Sequence, residues 1–155
     1  MRSLFLFVFG CIVFFPSFSQ QIDVQHYEYD IVLNDQTDVV VGRATIKIKF
    51  LDAASQLSLD LVNAEKGKGM EAAGVFENGL PVHFSHQNNK LVITTNAKAG
   101  QVKTFDIQYS GVPQDGLIIS KNRFGDRTFF ADNWPNRAHH WIPCNDRPDD
   151  KASFE

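Results

Sequence analysis

The chain has 155 residues, of which 43% are hydrophobic and 21% are charged, and its formal net charge is −3 at pH 7. This length is enough for one domain with a real hydrophobic core. The lysines and arginines are scattered and the overall balance is acidic, so the chain lacks the clustered basic face that a nucleic-acid-binding protein requires.

The first nineteen residues have the pattern of a secretory signal peptide. Arg2 precedes the apolar run LFLFVFGCIVFFP, and Ser17-Phe18-Ser19 supplies small residues for cleavage. The run is shorter than the roughly 20 apolar residues of a membrane-spanning helix, so no stable membrane span is expected. We predict an exported protein, periplasmic or secreted, from which residues 1–19 are removed. A lipoprotein anchor at Cys11 is the alternative.

Beyond residue 19, alternation of apolar and polar residues dominates, which is typical of half-buried β-strands. Asn78-Gly79 is typical of a tight hairpin turn. Residues 63–74 contain Gly67 and Gly69, which disfavour a helix, and are predicted to form a loop or bend. We therefore predict an all-β domain over residues 20–155, folded as an antiparallel β-sandwich. The predicted strands lie at 27–33, 44–50, 57–61, 75–76, 82–84, 91–93 and 105–109.

The composition changes after Gly111. The next 26 residues, 112–137, are rich in Gly, Pro, Asp and Asn and contain only short apolar islands at 117–119 and 128–131. We predict long irregular connections in this region, and such connections on a rigid sheet often carry binding residues.

Four histidines occur in two closely spaced pairs. His139 and His140 are adjacent, and on a strand adjacent side chains point to opposite faces, so the two could not chelate one ion there without a special turn. The spacing of His83 and His86 also separates the two rings on a strand. We interpret these residues as hydrogen-bonded histidines at or near the surface.

The final residues are rich in acids and include one cysteine. Asp146, Asp149 and Asp150 do not follow the spacing of a calcium-binding EF-hand loop. We predict a structural role, in which Asp146 caps the turn before Pro148. Cys144 is the only cysteine beyond residue 19 and is predicted to be a small buried thiol beside Pro143.

Motifs of known catalytic sites do not occur in the chain. The sequence contains no G-x-S-x-G, no phosphate-binding loop and no H-E-x-x-H zinc motif. The residues present therefore do not assemble a catalytic site by themselves.

The end of the chain and the order of the strands before it form a distinctive pattern. The segment WIPCNDRP, residues 141–148, is followed by Lys151-Ala152 and Phe154. Upstream lie LSLDL, the Asn78-Gly79 hairpin, KLVI and Tyr109-Ser110-Gly111. This arrangement resembles the aminopeptidase N family of zinc metallopeptidases, in which the closing pattern is F/W-P-C-x-D-E-P-x-x-K-A-x-F. Residues 20–155 are thereby identified as the N-terminal β-domain of such an enzyme, a saddle-like sheet assembly that covers the active site.

The resemblance also implies where the chemistry lies. In the family, zinc is held by H-E-x-x-H and a later Glu on the following domain, and a G-x-M-E-N loop there binds the free amino end of the peptide. We therefore expect no cofactor in this fragment, zinc in the full-length enzyme, and a peptide substrate bound through the catalytic domain. The chain ends on a pattern typical of the start of a strand, and we expect it to be C-terminally incomplete.

One loop of this domain contacts substrate in the family. The family position that helps to hold the substrate's α-amino group falls on Trp134, with Asp132 two residues earlier. These two residues are the predicted substrate-binding residues, because an aromatic face and a carboxylate both attract an ammonium group. The alternative is a tight turn with Trp134 packed in the core. His139 and Arg147 replace the family's usual Arg and Glu.

Two other functions are compatible with these residues. A complete, secreted β-sandwich module could bind a peptide, a glycan or another protein. A metal-dependent binding domain could use the histidines and aspartates.

Overall fold

The structure is a computed structural model and describes residues 22–155. The predicted signal peptide, residues 1–19, lies outside the described residues. No helix within 22–155 is long and apolar enough to cross a membrane. The elements are β1 (Ile22–Val32), β2 (Val40–Phe50), β3 (Ala54–Asp60), β4 (Gly69–Glu77), β5 (Leu80–Pro81), β6 (Phe84–Gln87), β7 (Lys90–Ala97), β8 (Val102–Val112), β9 (Leu117–Lys121), β10 (Arg127–Ala131), a 3₁₀ turn (Ala138–His140) and β11 (Ser153–Phe154).

These strands form three sheets. A six-stranded sheet has the order β11-β1-β2-β8-β4-β5, a three-stranded sheet the order β3-β7-β6, and β9 pairs with β10. The pairings are antiparallel except that of β11 with β1, which is parallel. The all-β, antiparallel architecture predicted from the sequence is confirmed.

One hydrophobic core lies between the six-stranded and the three-stranded sheets. Alternate side chains of each central strand point into it, as the period of two requires. Full burial of a Leu, Ile or Phe side chain contributes about 1.5–3 kcal/mol. Completely buried members of the cluster include Ile46 and Ile48 from β2, Phe105 and Ile107 from β8, Leu59 from β3, and Leu91 and Ile93 from β7.

The prediction of a loop or bend over residues 63–74 is wrong for its second half. Only 63–68 bends, and Gly69–Glu77 forms strand β4 along β8. Met70 and Val75 are buried in the core. The register of β4 against β8 shifts between Ala72 and Gly74, and Gly74 remains paired with β8. Burial and pairing with a strand distant in sequence outweigh the local effect of the glycines.

Two hairpins connect neighbouring strands, β4 to β5 and β9 to β10. The Asn78-Gly79 hairpin is confirmed, since both residues have left-handed φ values of 52° and 77° and join β4 to β5. The expectation of irregular structure over 112–137 is wrong for the two apolar islands, which pair as β9 and β10. The side chain of Asn122 stabilises their turn by accepting hydrogen bonds from the backbone N–H groups of Phe124 (2.8 Å) and Asp126 (3.0 Å).

The strand expected at the end of the chain is present. β11 lies along β1, where Glu155 N–H donates to the Tyr27 carbonyl (2.9 Å) and Tyr29 N–H donates to the Glu155 carbonyl (3.0 Å). The last residues therefore extend the edge of the six-stranded sheet.

Candidate functional site

The two predicted substrate-binding residues lie on a loop that follows β10. We call residues 132–137 the 132–137 loop; it leads directly into the 3₁₀ turn. Its first backbone N–H, from Asp132, donates to the Gly116 carbonyl (2.8 Å), so the loop begins against the residue that precedes β9. Within the loop, Arg137 N–H donates to the Asn133 carbonyl (2.9 Å).

The guanidinium of Arg137 holds the loop together. Its Nη2 pairs with the Oδ2 atom of Asp132, and its Nε donates to the Trp134 carbonyl (2.8 Å). Its Nη1 lies 3.5 Å from Oδ1 of Asp115. All three guanidinium nitrogens are therefore directed at acceptors, and two of the acceptors are carboxylates, which form the stronger, charge-assisted hydrogen bonds.

Asp115 is the second carboxylate beside this guanidinium. Its Oδ1 accepts a hydrogen bond from the Gly116 backbone N–H (2.8 Å). That hydrogen bond, together with the nearby charge of Arg137, holds the pKa of the Asp115 carboxyl below its ordinary value. Asp115 is therefore ionised at neutral pH.

The side chain of Trp134 is outside the core. It is 79% exposed, so the alternative in which Trp134 packs in the core is wrong. The buried tryptophan is Trp141, whose indole Nε1 donates to Oδ1 of Asn133 (2.9 Å). The Trp134–Pro135 peptide bond is cis. The loop thus carries an exposed aromatic side chain at Trp134 and a partly exposed carboxylate at Asp132.

The segment WIPCNDRP anchors the loop to both sheets. The Tyr29 hydroxyl donates to the Pro143 carbonyl (2.9 Å), and the backbone N–H of Asn145 donates to the Tyr27 hydroxyl (2.9 Å). Cys144 and Asp60 exchange two backbone hydrogen bonds, of 2.7 and 3.1 Å, at the end of β3. The distinctive segment therefore acts as a scaffold that sets the position of the loop.

Cys144 itself is buried, as predicted. Burial is the main reason that the pKa of its thiol lies well above the ordinary value, and nearby Asp146 adds to the effect. The thiol is therefore neutral at physiological pH and acts as a small apolar side chain.

The family model for the peptidase M1 N-terminal domain matches residues 23–155. The chain belongs to this family. The resemblance that the sequence alone indicated is therefore confirmed, and residues 23–155 are an M1 N-terminal domain.

Solved structures show the same relationship. An M1 zinc metallopeptidase from Deinococcus radiodurans has 25% identity and a TM-score of 0.71, over 87% of this chain and 31% of that chain. A two-domain M1 zinc metallopeptidase mutant bound to L-tryptophan has 26% identity and a TM-score of 0.71, over 90% and 33%. Yeast LTA4 hydrolase, at 19% identity and a TM-score of 0.71, over 86% and 22%, shares the fold. No curated protein sequence matches the chain.

The M1 N-terminal domain described here spans about a third of the length of the two metallopeptidase chains that it matches at 25–26% identity. Within residues 22–155, no group of three or more His, Cys, Asp and Glu side chains is placed to hold a metal ion.

The histidines of this M1 domain are arranged differently from the sequence prediction. His139 and His140 lie on the 3₁₀ turn, and their ring centroids are 4.5 Å apart, so the expectation that a strand separates them is wrong. Nδ1 of His139 lies 2.6 Å from Oδ2 of Asp146. That carboxylate is structural, as predicted, but it contacts His139 instead of capping the turn before Pro148. Arg147 pairs with Asp149 at 2.9 Å.

His86 confirms the prediction of a hydrogen-bonded histidine. Its Nδ1 accepts from the Ala72 backbone N–H (3.4 Å), which leaves Nε2 to donate to the Leu61 carbonyl (2.9 Å). His83 is exposed.

The sequence predicted Asp132 and Trp134 as binding residues and gave no indication of a role for Arg137, Asp115 or Asn133. The only sequence signal was a basic residue five positions after Asp132, which is too common to indicate an ion pair. Asp115 is 22 positions before Arg137, and only the pairing of β9 with β10 brings the two together.

His140 is the group whose burial we expect to make the stability of the domain dependent on pH. Its Nδ1 atom is buried and has no hydrogen-bond partner among residues 22–155. Burial, reinforced by the neighbouring His139, lowers the pKa of His140 below its ordinary value because it disfavours the charged imidazolium.

We expect the contribution of His140 to stability to be lost in acid. The unfolded chain takes up a proton at His140 at a higher pH than the folded chain does, so the contribution is complete above about pH 6.5 and declines below it. The substitution His140→Gln should therefore make the free energy of unfolding less dependent on pH between about pH 7 and pH 5. Urea unfolding at each pH measures this, and His83→Gln, at an exposed site, is the matched control. An unchanged pH dependence in His140→Gln would contradict the prediction.

Proposed function

We propose that this chain supplies the N-terminal, non-catalytic domain of an exported zinc-dependent aminopeptidase. In this proposal the domain covers the active site, and its 132–137 loop contacts the amino-terminal residue of a peptide substrate. The observation that carries the proposal is the match to the M1 N-terminal domain family, together with 25–26% identity to M1 zinc metallopeptidases. The signal-peptide pattern of residues 1–19 supports export.

The zinc in this proposal is held outside residues 22–155, since these residues do not form a metal site. When bound, zinc polarises the scissile carbonyl and activates water. The described domain contributes binding and orientation of the substrate.

The loop has the chemistry to recognise an ammonium group. The Asp132 carboxylate uses Oδ2 to bind Arg137, while its Oδ1 has no hydrogen-bond partner within residues 22–155. The Asp132 side chain is 40% exposed, so a ligand can approach the carboxylate from solvent. The exposed face of Trp134 could add a cation–π contact worth about 0.5–2 kcal/mol. The two groups together would hold the α-amino group of a peptide.

A stand-alone secreted binding module is not favoured, because the family match and the solved structures at 25–26% identity are M1 proteins.

We expect substitutions at the two loop residues to weaken substrate binding by the full-length protein. Asp132→Asn should raise KM for peptides with a free amino end roughly 10-fold or more, because hydrogen bonds to charged groups contribute about 1.5–3 kcal/mol. Trp134→Ala should raise it roughly 2- to 30-fold. Steady-state hydrolysis of aminoacyl chromogenic substrates measures both effects.

Matched controls lie on exposed loops of the same domain. Asp35→Asn removes one negative charge from the exposed β1–β2 connection, and Phe124→Ala truncates an exposed aromatic side chain in the β9–β10 turn; neither should change KM by more than about 2-fold. Loss of hydrolysis on chelation of the metal would support the zinc aminopeptidase. A full-length protein without aminopeptidase activity would refute the proposal.

A further inference from the structure

The side chain of Arg137 connects three separate parts of the candidate site. Its guanidinium contacts the carboxylate of Asp132, the carbonyl of Trp134 and the carboxylate of Asp115. Two of these groups belong to the 132–137 loop and the third lies before β9. Arg137 is half-buried and both carboxylates are partly exposed, so these contacts form at the protein surface.

Trp134 depends on this side chain for its position. Its own side chain is 79% exposed, so packing contributes little to holding it in place. The backbone carbonyl of Trp134 is bound by Nε of Arg137 at 2.8 Å. The other hydrogen bonds that hold the turn involve Asp132 N–H, the Asn133 side chain and the Asn133 carbonyl, and none of them is made by Trp134 itself.

Arg137 also sets the orientation and charge of Asp132. It binds Oδ2 and leaves Oδ1 of that carboxylate without a hydrogen-bond partner among residues 22–155. One guanidinium is shared by two carboxylates, so the group of Asp115, Arg137 and Asp132 keeps a formal charge of −1. A bound ammonium group would balance that charge. A lysine could not replace Arg137, because only the planar fork of a guanidinium reaches several acceptors in fixed directions.

We infer that Arg137 is a positioning residue for substrate recognition, which fixes Asp132 and Trp134 in the geometry that receives the amino end of a peptide. The inference rests on the proposed function, because it assigns to Arg137 the organisation of the same loop. Arg137 acts through its two neighbours and does not itself contact the substrate.

The test compares Arg137→Lys, which keeps the charge and loses the fork, with Arg137→Gln, which loses both, in the full-length protein. Both substitutions should raise KM for aminoacyl substrates about 10-fold, while kcat changes less than about 2-fold. The reason is that the lost binding is shared equally by the substrate and the transition state. Asp115→Asn removes the negative charge that lies 3.5 Å from Arg137 and keeps an oxygen that can accept from Gly116 N–H, so it should have a smaller effect. Because Arg137→Gln could unfold the domain, thermal unfolding is recorded for every variant, and Arg137→Lys serves as the milder substitution.

A second measurement reports on position without activity. In protein labelled with 5-fluorotryptophan, the ¹⁹F resonance that is missing in Trp134→Phe belongs to Trp134. Both Arg137 variants should shift this resonance towards that of a freely mobile tryptophan. In an Asp132→Asn background, the effect of Arg137→Gln on KM should be smaller than in the wild-type protein, with only the part carried by Trp134 remaining, since coupled residues are not additive.

The outcomes separate the two proposals. A raised KM in Asp132→Asn with an unchanged KM in both Arg137 variants would overturn the positioning role and leave the proposed function intact. A raised KM in the Arg137 variants without a shift of the Trp134 resonance, and additive with Asp132→Asn, would also overturn it. If neither Asp132→Asn nor Trp134→Ala raises KM, substrate contact by the loop is refuted, and the positioning role with it.

Discussion

Gly116→Ala is expected to lower the free energy of unfolding by about 2–5 kcal/mol. Gly116 has a φ of +77°, where an L-residue with a Cβ costs about 1–2 kcal/mol. An added Cβ would also lie 2.3 Å from the Arg137 carbonyl oxygen and 2.9 Å from Cδ1 of Trp141. These atoms belong to backbone and to a buried ring, so they cannot move aside cheaply, and overpacking adds about 1–3 kcal/mol.

Gly125→Ala provides the matched control for this substitution. Gly125 lies in the turn between β9 and β10 with a φ of +91°, and an added Cβ would meet no atom within 4 Å. Gly125→Ala should lower the free energy of unfolding only by the cost of a positive φ for a residue with a Cβ, about 1–2 kcal/mol. Urea unfolding followed by circular dichroism measures both losses. Equal losses in the two variants would show that the close approach of Gly116 to Arg137 has no energetic consequence.

Gly116→Ala should also disturb recognition of the substrate. The carbonyl of Gly116 accepts the first hydrogen bond of the 132–137 loop, from Asp132 N–H. A shift of this backbone would move Asp132 and Arg137 together. We therefore expect the stability loss to be accompanied by a raised KM in the full-length protein, whereas Gly125→Ala should leave KM unchanged.

Phe105→Ala is expected to cost about 3–5 kcal/mol of unfolding free energy. Phe105 is completely buried and lies on β8 opposite Ile46 of β2 and Glu77 of β4, in the middle of the six-stranded sheet. Truncation to alanine removes the apolar contacts of the phenyl ring and leaves a cavity that the surrounding strands can fill only in part. Because domains of this size are stable by only about 5–15 kcal/mol, the variant should unfold at a much lower urea concentration.

The control for this core substitution is Phe130→Ala. Phe130 also lies on a strand, but its side chain is 64% exposed, and its cross-strand neighbour is Ile118. Loss of that pair should cost less than about 1 kcal/mol. Similar losses at Phe105 and Phe130 would contradict the assignment of the core to the space between the two larger sheets.

The sequence by itself determined the features that arise from local patterns. The alternation over 44–50 and 105–109 predicted strands correctly, because a period of two admits only one face to a core. The Asn78-Gly79 hairpin was predictable because few residues tolerate two successive positive φ values. The segment WIPCNDRP indicated the family, because its order of residue types is specific. These features depend on residues that are close together in the sequence.

Tertiary structure alone decided the features that depend on distant partners. Residues 69–77 become a strand because β8 pairs with them and the core buries Met70, which outweighs the glycines on either side. Of the two tryptophans, Trp141 is buried and bound to Asn133, whereas Trp134 is exposed. Arg137 joins Asp132 to Asp115 only after β9 and β10 have paired. Such contacts form between residues far apart in the chain, and no local periodicity or turn preference encodes them.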